Sequence, residues 1–290
     1  TQYYGDAILM MKKQWDAFSL NAALGASIND KTVNSTRYDS KTASLKYANV
    51  FNLANIIMNG SAGLDQKIDA RRQLQSLFAT AQLGYNEFVY LDLSARNDWS
   101  STLAYTSHEK SGFFYPSVGF SLIFNKLMTL PRWVSLAKIR GAYSMVGNDI
   151  PMFITNPSSH ITAGGEFLAS DAAPFKDMEP EMTHSFEAGI EARFLKNRIG
   201  LNATFYKTNT RNQFFKLPTL SGDKYAYRYV NAGDIQNVGW EISLDAVPLL
   251  TNHFKWKTEV NFSTNRNKII SLHEALKEFL YLSLIHISEP

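Results

Sequence analysis

Residues 254–264 alternate without a break. Phe254, Trp256, Thr258, Val260, Phe262 and Thr264 occupy one parity, and Lys255, Lys257, Glu259, Asn261 and Ser263 the other. Successive side chains of a strand point to opposite faces, so this run predicts a strand with one apolar and one polar face. Phe18, Leu20, Ala22, Leu24, Ala26 and Ile28 repeat the pattern, as do Phe186, Ala188, Ile190, Ala192 and Phe194. In all, strands are predicted near 3–11, 17–28, 71–84, 88–97, 114–124, 134–146, 183–194, 199–209, 237–247 and 253–265. No long amphipathic helix competes with them, and the chain is expected to be all-β.

Run length and spacing narrow the class. Strands of soluble proteins cluster near five or six residues, whereas a tilted membrane-crossing strand needs about 9–11. Most of these runs reach that length. Aromatic residues gather near run ends (Phe113-Phe114-Tyr115, Phe205-Tyr206, Phe214-Phe215, and Tyr225, Tyr227 and Tyr229), where the interfacial girdles of a barrel would stand. A secreted soluble β-sandwich that binds carbohydrate alternates in the same way. The connections separate the two. Short links at 12–16, 85–87, 125–133, 195–198 and 248–252 alternate with long ones at 29–70, 98–113, 147–182 and 210–236. Barrel walls in an outer membrane keep tight turns at one rim and long loops at the other, and a sandwich has no reason to keep that parity. Thr42–Ala54 could be scored as a strand, but two long connections would then be adjacent, so it is placed inside the 29–70 loop.

Composition agrees once a barrel is considered. With 45% hydrophobic residues and 19% charged, the 290-residue chain is far from a disordered composition. A net charge of +3 supplies no basic field for nucleic acid. The absence of cysteine removes disulfides, thiolate metal sites and Cys nucleophiles. No run of about 20 apolar residues exists, which excludes membrane helices but not strands, because a polar lumen face dilutes every window. Thr1–Asp6 carry neither an initiator Met nor a basic segment, so no signal peptide is expected there.

Little catalytic chemistry is legible. The six histidines are scattered, and no metalloprotease, nucleophile-elbow, dinucleotide or phosphate-loop pattern occurs. Glu179 and Glu181 are a carboxylate pair of the kind glycosidases use, but no second element accompanies them, and a solvated approach to the next strand is the simpler reading. Arg96, Arg140, Glu191 and Arg193 fall on polar faces and are expected to line a lumen in ion-pair ladders. Trp99 could stack on a sugar or sit in a girdle. The same choice applies to Tyr225, Tyr227 and Tyr229. No enzyme activity, cofactor or metal is expected.

Several blocks resemble the barrel of SusC/RagA-like TonB-linked outer-membrane receptors of Bacteroidetes. They are Ser94–Ser101, with Asn97 and Asp98; Phe114–Ser121; and Lys138–Asp149, with Gly141, Gly147 and Asn148, similar to the family's L-R-x-S-Y-G-x-x-G-N strand. Phe194–Ile199, followed by Phe205-Tyr206-Lys207, resembles a family turn and the strand after it. Asn231–Leu244 is similar to its N-x-G-x-x-x-N-x-G-x-E segment through Asn231, Gly233, Asn237, Gly239 and Glu241, and Val260–Lys268 resembles the strand that follows. These blocks run in order over about 71–272.

The resemblance implies that residues 1–281 are part of a barrel of about 22 strands in the cell outer membrane, facing lipid. It implies uptake of glycan or peptide, with a SusD-like surface lipoprotein over the outer face and the TonB complex supplying energy through a plug and TonB box without counterpart here. Residues 29–70, 98–113, 147–182 and 210–236 would then be outer loops. The motif residues are expected to be structural: Gly233 and Gly239 easing loop into strand, with a bulge or bend, and Asn231 and Asn237 bonding local backbone to hold the turn. Ten strands of such a wall would leave two unpaired edges, so the chain alone is expected neither to transport nor to fold cleanly. Leu282–Pro290 resembles translated sequencing adapter and is expected to be non-native.

Overall fold

A computed structural model describes residues 1–39, 45–50, 52–57, 63–161, 167–220 and 222–271. The expected non-native tail at 282–290 lies outside them. Ten strands form one antiparallel meander: β1 (Gln2–Trp15), β2 (Phe18–Asp39), β3 (Gly63–Tyr85), β4 (Val89–Ser100), β5 (Phe113–Ile123), β6 (Val134–Asn148), β9 (Glu181–Phe194), β10 (Ile199–Arg211), β13 (Asp234–Leu250) and β14 (Lys255–Ser271). Two small hairpins stand apart from it, β7–β8 (His160–Ile161, Phe167–Leu168) and β11–β12 (Phe214–Pro218, Tyr227–Asn231). The one α-helix among the described residues, α1 (Phe124–Leu127), is a single turn between β5 and β6. The sheet is open: its order starts at β1 and ends at β14, and both end strands are exposed along their length.

Connections at one rim are tight. Links 16–17, 86–88 and 195–198 turn through left-handed backbone at Asp16, Asn86, Glu87, Leu195, Lys196 and Asn197. At the opposite rim, long stretches of chain, 40–62, 101–112, 149–180 and 212–233, separate consecutive wall strands. The expected 29–70 loop needs correction, because β2 continues to Asp39 and β3 begins at Gly63, pairing Thr32 with Arg71 and Thr36 with Gln66. The ladder persists there while the apolar alternation stops. Backbone pairing does not need an apolar face, and alternation marks only the levels where the two faces meet different solvents. Within the remaining loop, Leu45 bridges Ile56 around a single 3₁₀ turn, η1 (Leu53–Asn55), so Thr42–Ala54 contributes no wall strand among its described residues.

The ladder register sorts every wall side chain to one of two faces. One row reads Trp15, Phe18, Tyr85, Val89, Leu122, Ile139, Ile190, Ala203, Ile242 and Phe262 across the whole sheet. A row five residues nearer the long-loop rim, Ser117, Ser144, Ser185, Thr208, Asn237 and Asn267, lies on the other face. Large apolar side chains of the first face stay exposed: Leu9 73%, Phe120 53%, Trp240 48% and Phe262 58%. A continuous apolar surface of this extent marks contact with lipid or another protein. A β-sandwich would cover it with a second sheet, and among the described residues no second large sheet exists. At the tight-turn rim this face carries packed rings: Phe18 on Tyr85 (centroids 4.8 Å), Tyr85 on Phe88 (5.4 Å) and Trp133 on Phe194 (5.6 Å). Along β4 the outward residues run from Val89 to Trp99. That span rises about 33 Å along the strand and about 25 Å along the axis at a tilt of about 40°, the height of a barrel's apolar band.

Candidate functional site

The long-loop rim is built around its own hydrophobic core. Leu103, Phe113, Ile150, Ile154 and Met178 are at most 5% exposed, and Tyr115, Phe175, Phe214 and Tyr229 pack around them. These residues come from loops 101–112 and 149–180, from β5 and from the β11–β12 hairpin, so three loops share one core. Only Ile150 and Ile154 share a helical spacing, and no helix forms there, so no local pattern announces the core.

A polar network fastens this cap to the wall. Asp149 accepts hydrogen bonds from Arg72 on β3, from Ser100 Oγ on β4 (2.7 Å), from Thr102 Oγ1 in the short 3₁₀ turn η2 (Ser101–Leu103), and from the Ile150 amide (2.8 Å). Thr155 Oγ1 donates to the Thr102 carbonyl at 3.2 Å, and the Phe175 amide donates to the Thr155 carbonyl. One level below, Asp98 accepts from Arg96 (2.7 Å) and from the Tyr115 hydroxyl, and Arg96 also donates to Ser76 Oγ. Asp98, Ser100, Thr102 and Thr155 are buried, and no buried side-chain polar atom among the described residues lacks a partner. Satisfied networks of this kind rigidify, because any displacement strands a desolvated donor or acceptor.

Asn231 ties loops 149–180 and 212–233 together. Its Oδ1 accepts from the Glu179 amide (2.7 Å), while its Nδ2 donates to the carbonyls of Glu179 (2.8 Å) and Asn212 (2.7 Å). The expectation that Asn231 bonds nearby backbone is therefore corrected: its partner Glu179 lies 52 residues away. Asn237 also departs from expectation. It sits inside β13, and its Oδ1 accepts from Asn265 and Asn267 across the ladder rather than from a turn. Gly233 has φ +90°, a conformation that a Cβ would strain. Gly239 is not at a bulge: the register shifts of β13 fall at Asp234/Ile235 and Ala246/Leu249. It is glycine because Tyr206 lies over it. A Cβ there would stand 2.1 Å from the Thr264 carbonyl oxygen and 2.5 Å from the Tyr206 hydroxyl.

The other motif residues divide between wall and loops. Gly141 lies beneath the Phe120 ring on the outward face, and Gly147 beside Met182, Tyr115 and Phe113. Asn97 donates to the Ser111 carbonyl, Asn148 to the Glu181 carboxylate, and Glu241 is exposed on the polar face opposite Thr204 and Ser263. The carboxylate pair is also occupied: Glu179 accepts from Asn212 and Glu181 from Asn148. Arg193 lies 3.9 Å from Glu191 and 3.7 Å from Asp245, and Arg140 bonds Thr204 and Asn202, all on the polar face.

The four aromatic candidates separate. Trp99 belongs to the outward parity of β4 and donates its indole N–H to the Lys110 carbonyl (3.0 Å). Tyr229 packs against the loop core. Tyr225 and Tyr227 stand at the β11–β12 hairpin, half-buried, with Lys224 Nζ 5.1 Å and Lys216 Nζ 3.9 Å from their ring centroids. The hairpin is anchored to loop 149–180 by the Tyr227 amide on the Asp171 carbonyl and the Ala173 amide on the Tyr227 carbonyl. Sequence reasoning missed the loop core, Asp149 and the tight-turn ring. Trp15, Phe18, Tyr85 and Trp133 were visible as aromatics at strand ends and could have signalled the last.

An open wall with an apolar exterior, a polar interior face, one tight rim and one rim of packed loops defines a section of a membrane β-barrel. The family model for the β-barrel of TonB dependent receptor-like proteins matches residues 1–272, and the chain belongs to that family. It is 25% identical over 235 residues to TonB-dependent receptor P39 of Formosa agariphila, covering 78% of this chain and 22% of that protein. It is 25% identical over 227 residues to the TonB-dependent receptor SusC of Bacteroides thetaiotaomicron, with 70% and 22% covered. The chain thus spans about a fifth of the length of the curated relatives it matches. Its fold is similar to that in a structure of the RagAB peptide transporter, with a TM-score of 0.75 at 19% identity, over 94% of this chain and 30% of that one.

Proposed function

We propose that the chain forms part of the wall and the outward loops of an outer-membrane importer that takes up glycan or peptide nutrients. The observation that carries this reading is the two-faced wall itself, polar inside, apolar outside and bounded by aromatic rings, in a chain of the TonB dependent receptor-like family. The tight turns face the periplasm and the long loops the exterior. The polar face, with Arg140, Glu191, Arg193 and Asp245, lines the passage. The loop cap over residues 101–112, 149–180 and 212–233 forms the outer surface on which a SusD-like lipoprotein docks, and TonB energises the import. Tyr225 and Tyr227 meet ligand from the hairpin, while Trp99 belongs to the interfacial girdle and Tyr229 to the loop core.

Similarity to SusC and to the RagAB peptide transporter supports this reading, and neither likeness decides between glycan and peptide. The role is transport, with no chemical step. In cells expressing the native full-length protein with its neighbouring lipoprotein, labelled oligosaccharide or peptide should accumulate, and a protonophore should abolish the uptake. A product that stays soluble without detergent would overturn the proposal.

A further inference from the structure

Cations on the outward face of the wall, toward the long-loop rim, are of two kinds. Arg71 is held by Asp30 (2.5 Å) and Arg211 by Asp234 (3.2 Å). Lys207, Arg266 and Lys268 are exposed, and among the described residues none of them has a carboxylate within ion-pair distance. The register gathers these three. Lys207 and Arg266 pair with Val238 from opposite sides, and Lys268 pairs with the adjacent outward residue, Gln236. Strands about 4.8 Å apart place Lys207 and Arg266 about 10 Å from each other on one face.

What surrounds them gives the patch its chemistry. Asn209 donates to Asp234 and accepts from Gln236, so these amides are engaged with one another and with Asp234, and the surface offers cations. On the tight-turn side lies an apolar ledge of Phe205 and Trp240, ring centroids 5.1 Å apart, with Trp240 half exposed. Positive charge directly above an aromatic ledge is the arrangement a phosphorylated amphiphile would meet at the level where acyl chains give way to headgroups. Cations that merely reached for water would not differ from their neighbours, whereas among the described residues Arg71 and Arg211 are neutralised and these three are not.

We infer that Lys207, Arg266 and Lys268 form an outward-facing seat for the phosphate of an outer-leaflet lipid whose acyl chains lie on Phe205 and Trp240. The inference rests on the membrane placement proposed above. Each cation near an anionic headgroup layer changes binding roughly fivefold, so the three together should change it about a hundredfold.

The test uses the native full-length protein, reconstituted in phosphatidylcholine nanodiscs and challenged with diphosphoryl lipid A or its dephosphorylated form. Retention of diphosphoryl lipid A should fall about a hundredfold in the triple variant Lys207→Gln/Arg266→Gln/Lys268→Gln. It should survive in the charge-keeping variant Lys207→Arg/Arg266→Lys/Lys268→Arg, and dephosphorylated lipid A should be retained by none of the proteins. Equal retention by wild type and triple variant, both inserted and heat-modifiable on gels, overturns the inference alone. Full competition by inorganic phosphate also overturns it, since the site would then bind a free anion rather than a lipid. Failure of the wild type to insert overturns the membrane reading and this inference with it.

Discussion

The wall and the loop cap are organised by opposite rules. In the cap, Leu103, Ile150 and Met178 are at most 2% exposed, and polar groups such as Asp149 and Thr155 close hydrogen bonds around them. In the wall, Leu9, Phe120 and Phe262 are all more than half exposed, and polar residues line the other side of a two-faced sheet. The cap is stabilised as a soluble protein is, by removing apolar surface from water. The wall is held by its ladder and by a solvent that is not water. One chain therefore folds against two solvents, and a substitution should be judged by the solvent its position faces.

The largest effect expected from breaking this contrast lies in the cap. Leu103→Ala removes a fully buried side chain and should cost about 2–5 kcal/mol of cap stability. Hydrogen exchange should accelerate in 101–112 and 149–180 while the β4 and β5 amides keep their protection. Loss of protection throughout the wall would show that the two regions fold as one unit.

Next is a charge on the lipid side. Val118→Arg, on the outward face near the middle of β5, should cost about 2–4 kcal/mol in a bilayer, whereas Ser117→Arg on the neighbouring polar face should be tolerated. Folding titrations into vesicles measure both, and equal costs would mean that the two faces do not differ in solvent.

Asn231→Ala should have a smaller effect, about 1 kcal/mol, because Glu179 is exposed and Asn212 only partly buried. It should loosen loops 149–180 and 212–233 relative to each other, detectable as faster exchange at the Glu179 amide with the β9–β10 ladder unchanged.

The smallest effect is at the tight-turn rim. Lys126 donates to Glu87 at 2.6 Å, which holds the Glu87 carboxyl below its ordinary 4.5 and the Lys126 ammonium above its ordinary 10.5. A depressed acid stabilises above its unfolded pKa and loses that contribution as pH falls through the folded one; a raised base does the reverse. The pair should therefore slow exchange in the 86–88 turn between about pH 4.5 and 10.5, and lose that protection outside the window. Both side chains are exposed, so about 1 M salt, whose Debye length of about 3 Å is comparable to the 2.6 Å separation, should weaken the effect. Insensitivity to both pH and salt would remove the pair from any structural role.

The wall was legible because period two is a local signal. Phe254, Trp256, Val260 and Phe262 declare their face from neighbours two residues away, wherever the strand finally pairs. The parity of short and long connections then needs only counting. Where both faces are wet, as at Thr32 opposite Arg71, the ladder continues without a signal, and the strands outran their pattern. At the cap the signal fails altogether. Met178 stands between two acids and Ile150 opens the short run Ile150-Pro151-Met152-Phe153-Ile154, and nothing near them or Leu103 in the chain says that they meet.

What the chain determines by itself is therefore the sequence of alternating strands, the two chemically distinct faces and the side on which long loops gather. Tertiary structure alone decided that three of those loops share a core, that Asp149 links it to β3 and β4, and that Glu179 is occupied by Asn212 and Glu181 by Asn148 across the β6–β9 ladder. It also decided that Gly239 is small because Tyr206 covers it, and that Lys207 and Arg266 meet across Val238. The physical reason is range. Alternation is written into adjacent residues by backbone geometry, whereas close approach between residues about 30 or more apart depends on register, and register exists only once the sheet has formed.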